Sequence, residues 1–261
     1  MNQNQRYIFS KVPEVTLVFW IVKILATTLG ETGGDALSMS LNLGYLLSTG
    51  IFALVFVAAV TIQVRARKFH PVIYWITIVA TTTVGTTLAD FTDRSLGIGY
   101  AGGTIILVIL LAASLWVWKR VLGSVAVDSV NSPQSEIFYW VTIMCSQTLG
   151  TALGDWTADT AGIGYGGGIM VFGGALTFVL FAYWFTKISH TFLFWAAFIL
   201  TRPLGAVVGD FLDKPRSEGG LELSRFAASA ALVALMAGFI FAFSHKPAKH
   251  LVESSPSNEQ P

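Results

Sequence analysis

The sequence predicts an all-α membrane protein, with eight transmembrane helices forming four parallel two-helix repeats, pseudo-symmetric about the membrane normal. Three observations carry this. The 261 residues are 54% hydrophobic and only 12% charged, with a mean hydropathy of +0.65, whereas soluble domains carry about 25% charge. Eight apolar runs approach the roughly 20 residues that cross about 30 Å of hydrocarbon as a helix. An aspartate motif recurs four times at fixed offsets.

In order, the runs cover residues 15–34, 45–64, 71–89, 100–118, 137–154, 165–186, 191–209 and 224–243. Residues 1–13 read as a cytoplasmic N-terminal segment, 14–68 as repeat 1 and 69–120 as repeat 2. A linker, 121–135, joins the halves; repeat 3 covers 136–188 and repeat 4 covers 189–244. Residues 245–261 contain PAKHLVESSPSNEQP, polar and proline-containing, and read as a disordered cytoplasmic tail. The first run, followed by ALS at 36–38, imitates a signal peptide. As one copy of four, it is expected to be retained.

The repeat is anchored on Asp35, Asp90, Asp155 and Asp210, spaced by 55, 65 and 55 residues. Fifteen residues before each stands a tryptophan: Trp20, Trp75, Trp140 and Trp195. Small residues stand five and one before: Gly30 and Gly34, Gly85 and Ala89, Gly150 and Gly154, Gly205 and Gly209. This small-xxx-small spacing lets helices approach closely in lipid and predicts helix packing. Seven before come Thr28, Thr83 and Thr148, replaced in the fourth copy by Pro203. After the aspartates, GIGYAGGTII at 97–106 and GIGYGGGIMV at 162–171 lead into the second helix of repeats 2 and 3.

Short-loop charges set the topology. Arg6, Lys11, Arg65, Arg67, Lys68, Lys119, Arg120, Lys187, Lys246 and Lys249 collect on one side, against Arg94, Lys214, Arg216 and Arg225 on the other. Ten against four places both termini in the cytoplasm and all four aspartates on the opposite side. With an even number of helices per unit, the repeats are parallel and not inverted.

Ionisable groups at membrane depth mark ion paths or paired structural sites. Two readings of the aspartates stand at this point: caps that end their helices, or ligands for a cation. Glu31, Asp93, Asp159, Asp213, Glu218 and Glu222 add acid to the same side, more than capping requires. Hard oxygen donors suit Mg²⁺, Ca²⁺, Mn²⁺ or monovalent ions over zinc or copper. The candidate ion-binding residues, metal ligands included, are therefore Asp35, Asp90, Asp155 and Asp210, with Glu31 as accessory acid and Thr28, Thr83 and Thr148 as neutral donors. Lys23 and Arg202, alone inside spans, are candidate counter-ions to the aspartates or snorkelling cations. As counter-ions, they would release an aspartate when a cation or proton arrives. The tryptophans, except Trp156 beside Asp155, read as an aromatic belt on the cytoplasmic side, and the histidines as solvated interface residues.

Several readings are set aside. The net charge of +1 gives no field for nucleic acid. The lone Cys145 excludes an intramolecular disulfide. GYG at 164–166 lies too close to Asp155 for a pore helix and channel filter. TGGD, TLAD, ALGD and VVGD lack the GxGD of membrane aspartyl proteases. No enzyme activity and no cofactor are expected.

The fourfold W-x(9)-G-x(3)-[GA]-D pattern, with TTLGETGGD and SQTLGTALGD, resembles bacterial membrane proteins built from a repeated domain of unknown function. The resemblance covers residues 14–243 and implies a bacterial inner membrane location without implying an activity. The expected function is transport of a small cation, a divalent metal ion preferred, in contact with membrane lipid. The alternatives are a non-transporting scaffold or assembly protein, or a carrier of a small organic solute.

Overall fold

The computed structural model describes residues 6–252, with strand β1 (Arg6–Pro13), helices α1 (Leu17–Asp35), α2 (Gly44–Arg65), α3 (Pro71–Asp90), α4 (Gly99–Leu122), α5 (Pro133–Asp155), α6 (Gly164–Phe185), α7 (His190–Asp213) and α8 (Arg225–Ala242), and strand β2 (Pro247–Val252). Local chemistry sets several starts. The Thr16 hydroxyl accepts from the Phe19 amide at the head of α1, and Ser132 with Ser135 forms a reciprocal cap on α5. Pro71 and Pro133 open α3 and α5, where a missing N–H costs nothing. Seven of the eight helices are long and apolar enough to cross a membrane. The exception, α5, has 23 residues, but Ser146, Gln147, Thr148 and Thr151 lower its hydropathy while facing the protein interior.

Helices α1, α3, α5 and α7 form a closed inner ring, each packed on the next and α7 on α1. The outer helices do not pack back on their own repeats. Instead α2 lies on α3, α4 on α5, α6 on α7, and α8 returns to cover α1. The turns explain this offset. After Asp35, Asp90 and Asp155 the chain makes a five-residue π-type turn, over 36–40, 91–95 and 156–160. Two left-handed residues follow, Gly97 and Gly99 in repeat 2, Gly162 and Gly164 in repeat 3, with φ between 67° and 75°. Such φ values favour glycine, which is why the GIG phrase is written twice; repeat 1 uses Asn42 and Gly44.

The small residues set the spacing within the ring. A Cβ added at Gly30 would strike Thr82, one at Gly85 would strike Gln147, one at Gly150 would strike Arg202, and one at Gly205 would strike Thr27. One turn further, Gly34 faces Thr86, Gly154 faces Ala206 and Gly209 faces Glu31, while Ala89 is buried in the equivalent place. Polar groups therefore fill the interior. The outer helices expose apolar residues such as Leu54, Ile109, Met170, Phe178 and Phe241, the distribution a hydrocarbon solvent favours.

Two expectations are corrected. The repeated tryptophans are not a belt: Trp75, Trp140 and Trp195 are buried and Trp20 is half-buried. Each contacts the aromatic residue preceding the equivalent tryptophan of the neighbouring repeat: Phe19 on Trp75, Tyr74 on Trp140, Tyr139 on Trp195 and Phe194 on Trp20. This aromatic plug closes one end of the ring, with the Tyr74 and Tyr139 hydroxyls 2.6 Å apart at its centre. Only Trp116 and Trp184, both exposed, fit a belt.

The tail is also not disordered where it is described. Residues 247–252 pair antiparallel with β1, Phe9 opposite Lys249 and Pro13 opposite Pro247 across a bulge; residues 253–261 lie outside the described part. The ribbon is held because Ser10 donates to the Val127 and Val130 carbonyls, and Lys11 pairs with Glu136 at 2.6 Å. The paired strands β1 and β2 and the linker thus meet at the plugged face, opposite the aspartates.

Candidate cation site

The sites are built from four columns of inner-helix residues, one turn apart. Lys23, Ile78, Ile143 and Phe198 stand twelve residues before the motif aspartates, above the plug. Thr27, Thr82, Gln147 and Arg202 stand eight before, and Glu31, Thr86, Thr151 and Ala206 four before. All twelve are buried. Residues four apart share a helix face, so each inner helix contributes one side chain per layer.

All four inner helices meet at Arg202. Its guanidinium donates twice to one Glu31 carboxylate oxygen, at 3.0 Å each, to Thr86 at 2.6 Å, and to Thr151. Lys23 lies deeper, 3.5 Å from the side-chain Oε1 of Gln147 and 4.1 Å above the Phe198 ring centre. Among the described residues no ion pair joins Lys23 or Arg202 to a motif aspartate, so their placement differs from the expected counter-ion role. Nor do they snorkel, since both are fully enclosed.

Asp35, Asp90, Asp155 and Asp210 are brought together as one buried layer. None caps the turn that follows Asp35, Asp90 or Asp155, and at Asp210 the helix simply continues to Asp213. Their counter-ions come from the opposite face of the loops. Arg94 lies 3.2 Å from Asp90 and 3.3 Å from Asp155, while Lys214 lies 2.6 Å from Asp35 and 3.2 Å from Asp210. Arg225 pairs with Asp213 at 2.9 Å and reaches Asp35 at 3.9 Å. Burial opposes the charge of Lys214, but Asp210, Asp35 and Asp213 outweigh it and hold that ammonium above its usual pKa.

The accessory acids divide. Glu31, Asp93 and Asp213 are buried, while Asp159, Glu218 and Glu222 are exposed. Among the described residues seven buried carboxylates, Glu31, Asp35, Asp90, Asp93, Asp155, Asp210 and Asp213, therefore face five cations, Arg94, Arg202, Lys214, Arg225 and, one turn deeper, Lys23. Two groups have ligand oxygens within 4.8 Å of one another: Glu31, Asp155 and Asp210, and Asp35, Asp210 and Asp213. Asp210 belongs to both.

The expected neutral donors stand elsewhere. Thr28, Thr83 and Thr148 turn their hydroxyls to carbonyls of the preceding turn of their own helices. Thr86 and Thr151 are the threonines in the polar centre. They, with Arg94, Lys214 and Arg225 as partners of the carboxylates, are missed by reading the motif alone. Their signal lies in its offsets: Thr86 and Thr151 fall four before an aspartate, Arg94 and Lys214 four after. The tyrosines ten residues after Asp35 and Asp90 have a role here too, because Tyr100 and Tyr45 accept hydrogen bonds from Arg94 at 3.0 and 3.3 Å.

The chain matches no curated protein and no solved structure. Residues 18–69, 73–123, 138–189 and 193–246, each an inner helix with the outer helix after it, match one and the same repeat. The protein is a multi-pass membrane protein with a buried acidic cluster, and it belongs to the family defined by the Repeat of Unknown Function (DUF347).

Proposed function

We propose that this protein carries a small cation across a membrane, with a divalent metal ion as the preferred substrate. The observation that supports it is the imbalance, among the described residues, of seven buried carboxylates against five cations, Lys23 included, in and around the polar ring. Unpaired ionised carboxylates are costly in a low-dielectric interior, and an entering cation lowers that cost. The donor set is oxygen, which favours Mg²⁺, Ca²⁺ or Mn²⁺. His70 and His190 are exposed at the plugged face, far along the helices from these carboxylates. In this reading the plugged face, richer in lysine and arginine, lies in the cytoplasm of a bacterial cell. The cation enters from the aspartate face, and the protein is a carrier and not an enzyme.

The test is the elemental content of cells expressing the wild type or the Asp35→Asn/Asp155→Asn double variant at equal level. These substitutions leave Lys214 paired with Asp210 and Arg94 paired with Asp90, so neither cation is stranded. One metal should change with the wild type and revert with the variant. No change in any element under several metal loads sinks the proposal in favour of a scaffold or an organic solute.

A further inference from the structure

Arg94 and Lys214 occupy equivalent repeat positions, yet they are held differently. Arg94 bridges two aspartates and also donates to the Tyr45 and Tyr100 hydroxyls. Among the described residues the hydrogen bond and ion pairs of the Lys214 ammonium go to carboxylates, 2.6 Å from Asp35 and 3.2 Å from Asp210. Those two, with Asp213, are the group whose ligand oxygens lie within 4.8 Å of one another. A lysine ammonium is a compact point charge without the planar fork of arginine. Nζ of Lys214 therefore bridges two of these three carboxylates, as a tethered monovalent cation would, while Arg225 holds the third, Asp213, at 2.9 Å.

The backbone under Lys214 is fixed. Its carbonyl accepts from the Glu222 amide at 3.0 Å, and Leu221 and Leu223 bond back to Phe211 and Leu212 at 2.7 and 2.9 Å. The side chain, at 10% exposure, carries the rotatable bonds of a four-carbon stem. Rotation of its flexible stem takes the ammonium outward while the carboxylates stay on their helices.

Building on the cation-carrier reading, we propose that Asp35, Asp210 and Asp213 form the entry site for a divalent cation. Lys214 is the tethered competitor that fills this site until the ion displaces it. The ammonium leaves still charged, so no proton changes hands. A divalent ion adds one unit of charge to the carboxylates relative to the lysine, whereas a monovalent ion adds none; the competitor thereby selects for charge. Asp210, shared with the group containing Glu31 and Asp155, then passes the ion inward.

The test uses the full chain in lipid nanodiscs, titrated with Mn²⁺ alone and followed by the paramagnetic resonance signal of the free ion. Lys214→Met should bind Mn²⁺ about tenfold more tightly than the wild type, and Lys214→Arg about tenfold more weakly. Mn²⁺ should also raise the melting temperature of Lys214→Met more than that of the wild type. If both variants bind as the wild type does while Asp210→Asn weakens binding, the competitor role is overturned and the cation reading survives. If the wild type and both lysine variants bind no Mn²⁺, the entry site and the divalent reading fall together. Should Lys214→Met not fold, Lys214→Arg decides alone: weaker binding supports the role, and equal or tighter binding overturns it.

Discussion

Gly205 of the fourth repeat seats Thr27 of the first, in the relation by which Gly30 seats Thr82, Gly85 seats Gln147 and Gly150 seats Arg202. This contact closes the ring. Each glycine leaves room for the residue eight before the next repeat's aspartate, so the same column that packs the helices also sets the depth of the polar centre.

Gly205→Val should destabilise the protein by about 1–3 kcal/mol, because the added carbons overlap both the side chain and the backbone of Thr27. Gly173→Ala on α6, where an added Cβ meets nothing within 4 Å, should cost nothing and gain up to about 1 kcal/mol from the better helix former. Thermal melts in detergent compare the two. Equal losses would show that the inner glycines do not set the helix spacing.

At the plug, Tyr74→Phe or Tyr139→Phe alone strands a buried hydroxyl, at a cost of about 1–3 kcal/mol. The double variant removes both partners and should recover much of that loss. A double-mutant cycle of melting temperatures reads the coupling; simple additivity would argue against the 2.6 Å bond.

Arg202→Met leaves Glu31 enclosed without its cation and should cost about 3–5 kcal/mol. Glu31→Met combined with Arg202→Met should restore stability while lowering Mn²⁺ binding, since Glu31 belongs to one of the two ligand groups. Unaltered Mn²⁺ binding in the folded double variant would confine the ion to Asp35, Asp210 and Asp213.

The ribbon at the plugged face gives a further test. Lys11→Met removes the cation paired with the enclosed Glu136 carboxylate, and should speed proteolysis in the linker around 123–132. The readout is the rate of cleavage in intact membrane vesicles opened at that face. An unchanged rate would mean that the paired strands hold the linker without the ion pair.

The helices and the repeat were legible because apolar length and fixed offsets are local signals. The aspartate layer followed from the same offsets. What the sequence concealed was pairing across repeats. Trp75, near the start of α3, reads like any interfacial tryptophan, and only the ring shows Phe19 covering it. Arg94 and Lys214 read as ordinary loop cations, yet the turns after α3 and α7 point them back at the carboxylates. The β1–β2 pairing joins residues more than 230 apart in sequence, a separation that no periodicity within either segment announces. Arg202 was visible as an anomaly, but its partner Glu31 lies 171 positions away.

The placement of each outer helix on the following repeat bears on how the chain is made. As helices leave the ribosome one after another, a finished repeat still has its outer helix uncovered until the next inner helix is inserted. The flank of α1 that α8 occupies waits through nearly all of translation. A chain broken off anywhere before α8 therefore keeps an unsealed seam, with Thr32 lacking its 2.8 Å partner Ser229, and such a seam is a mark by which membrane quality control can tell an incomplete copy from a finished one.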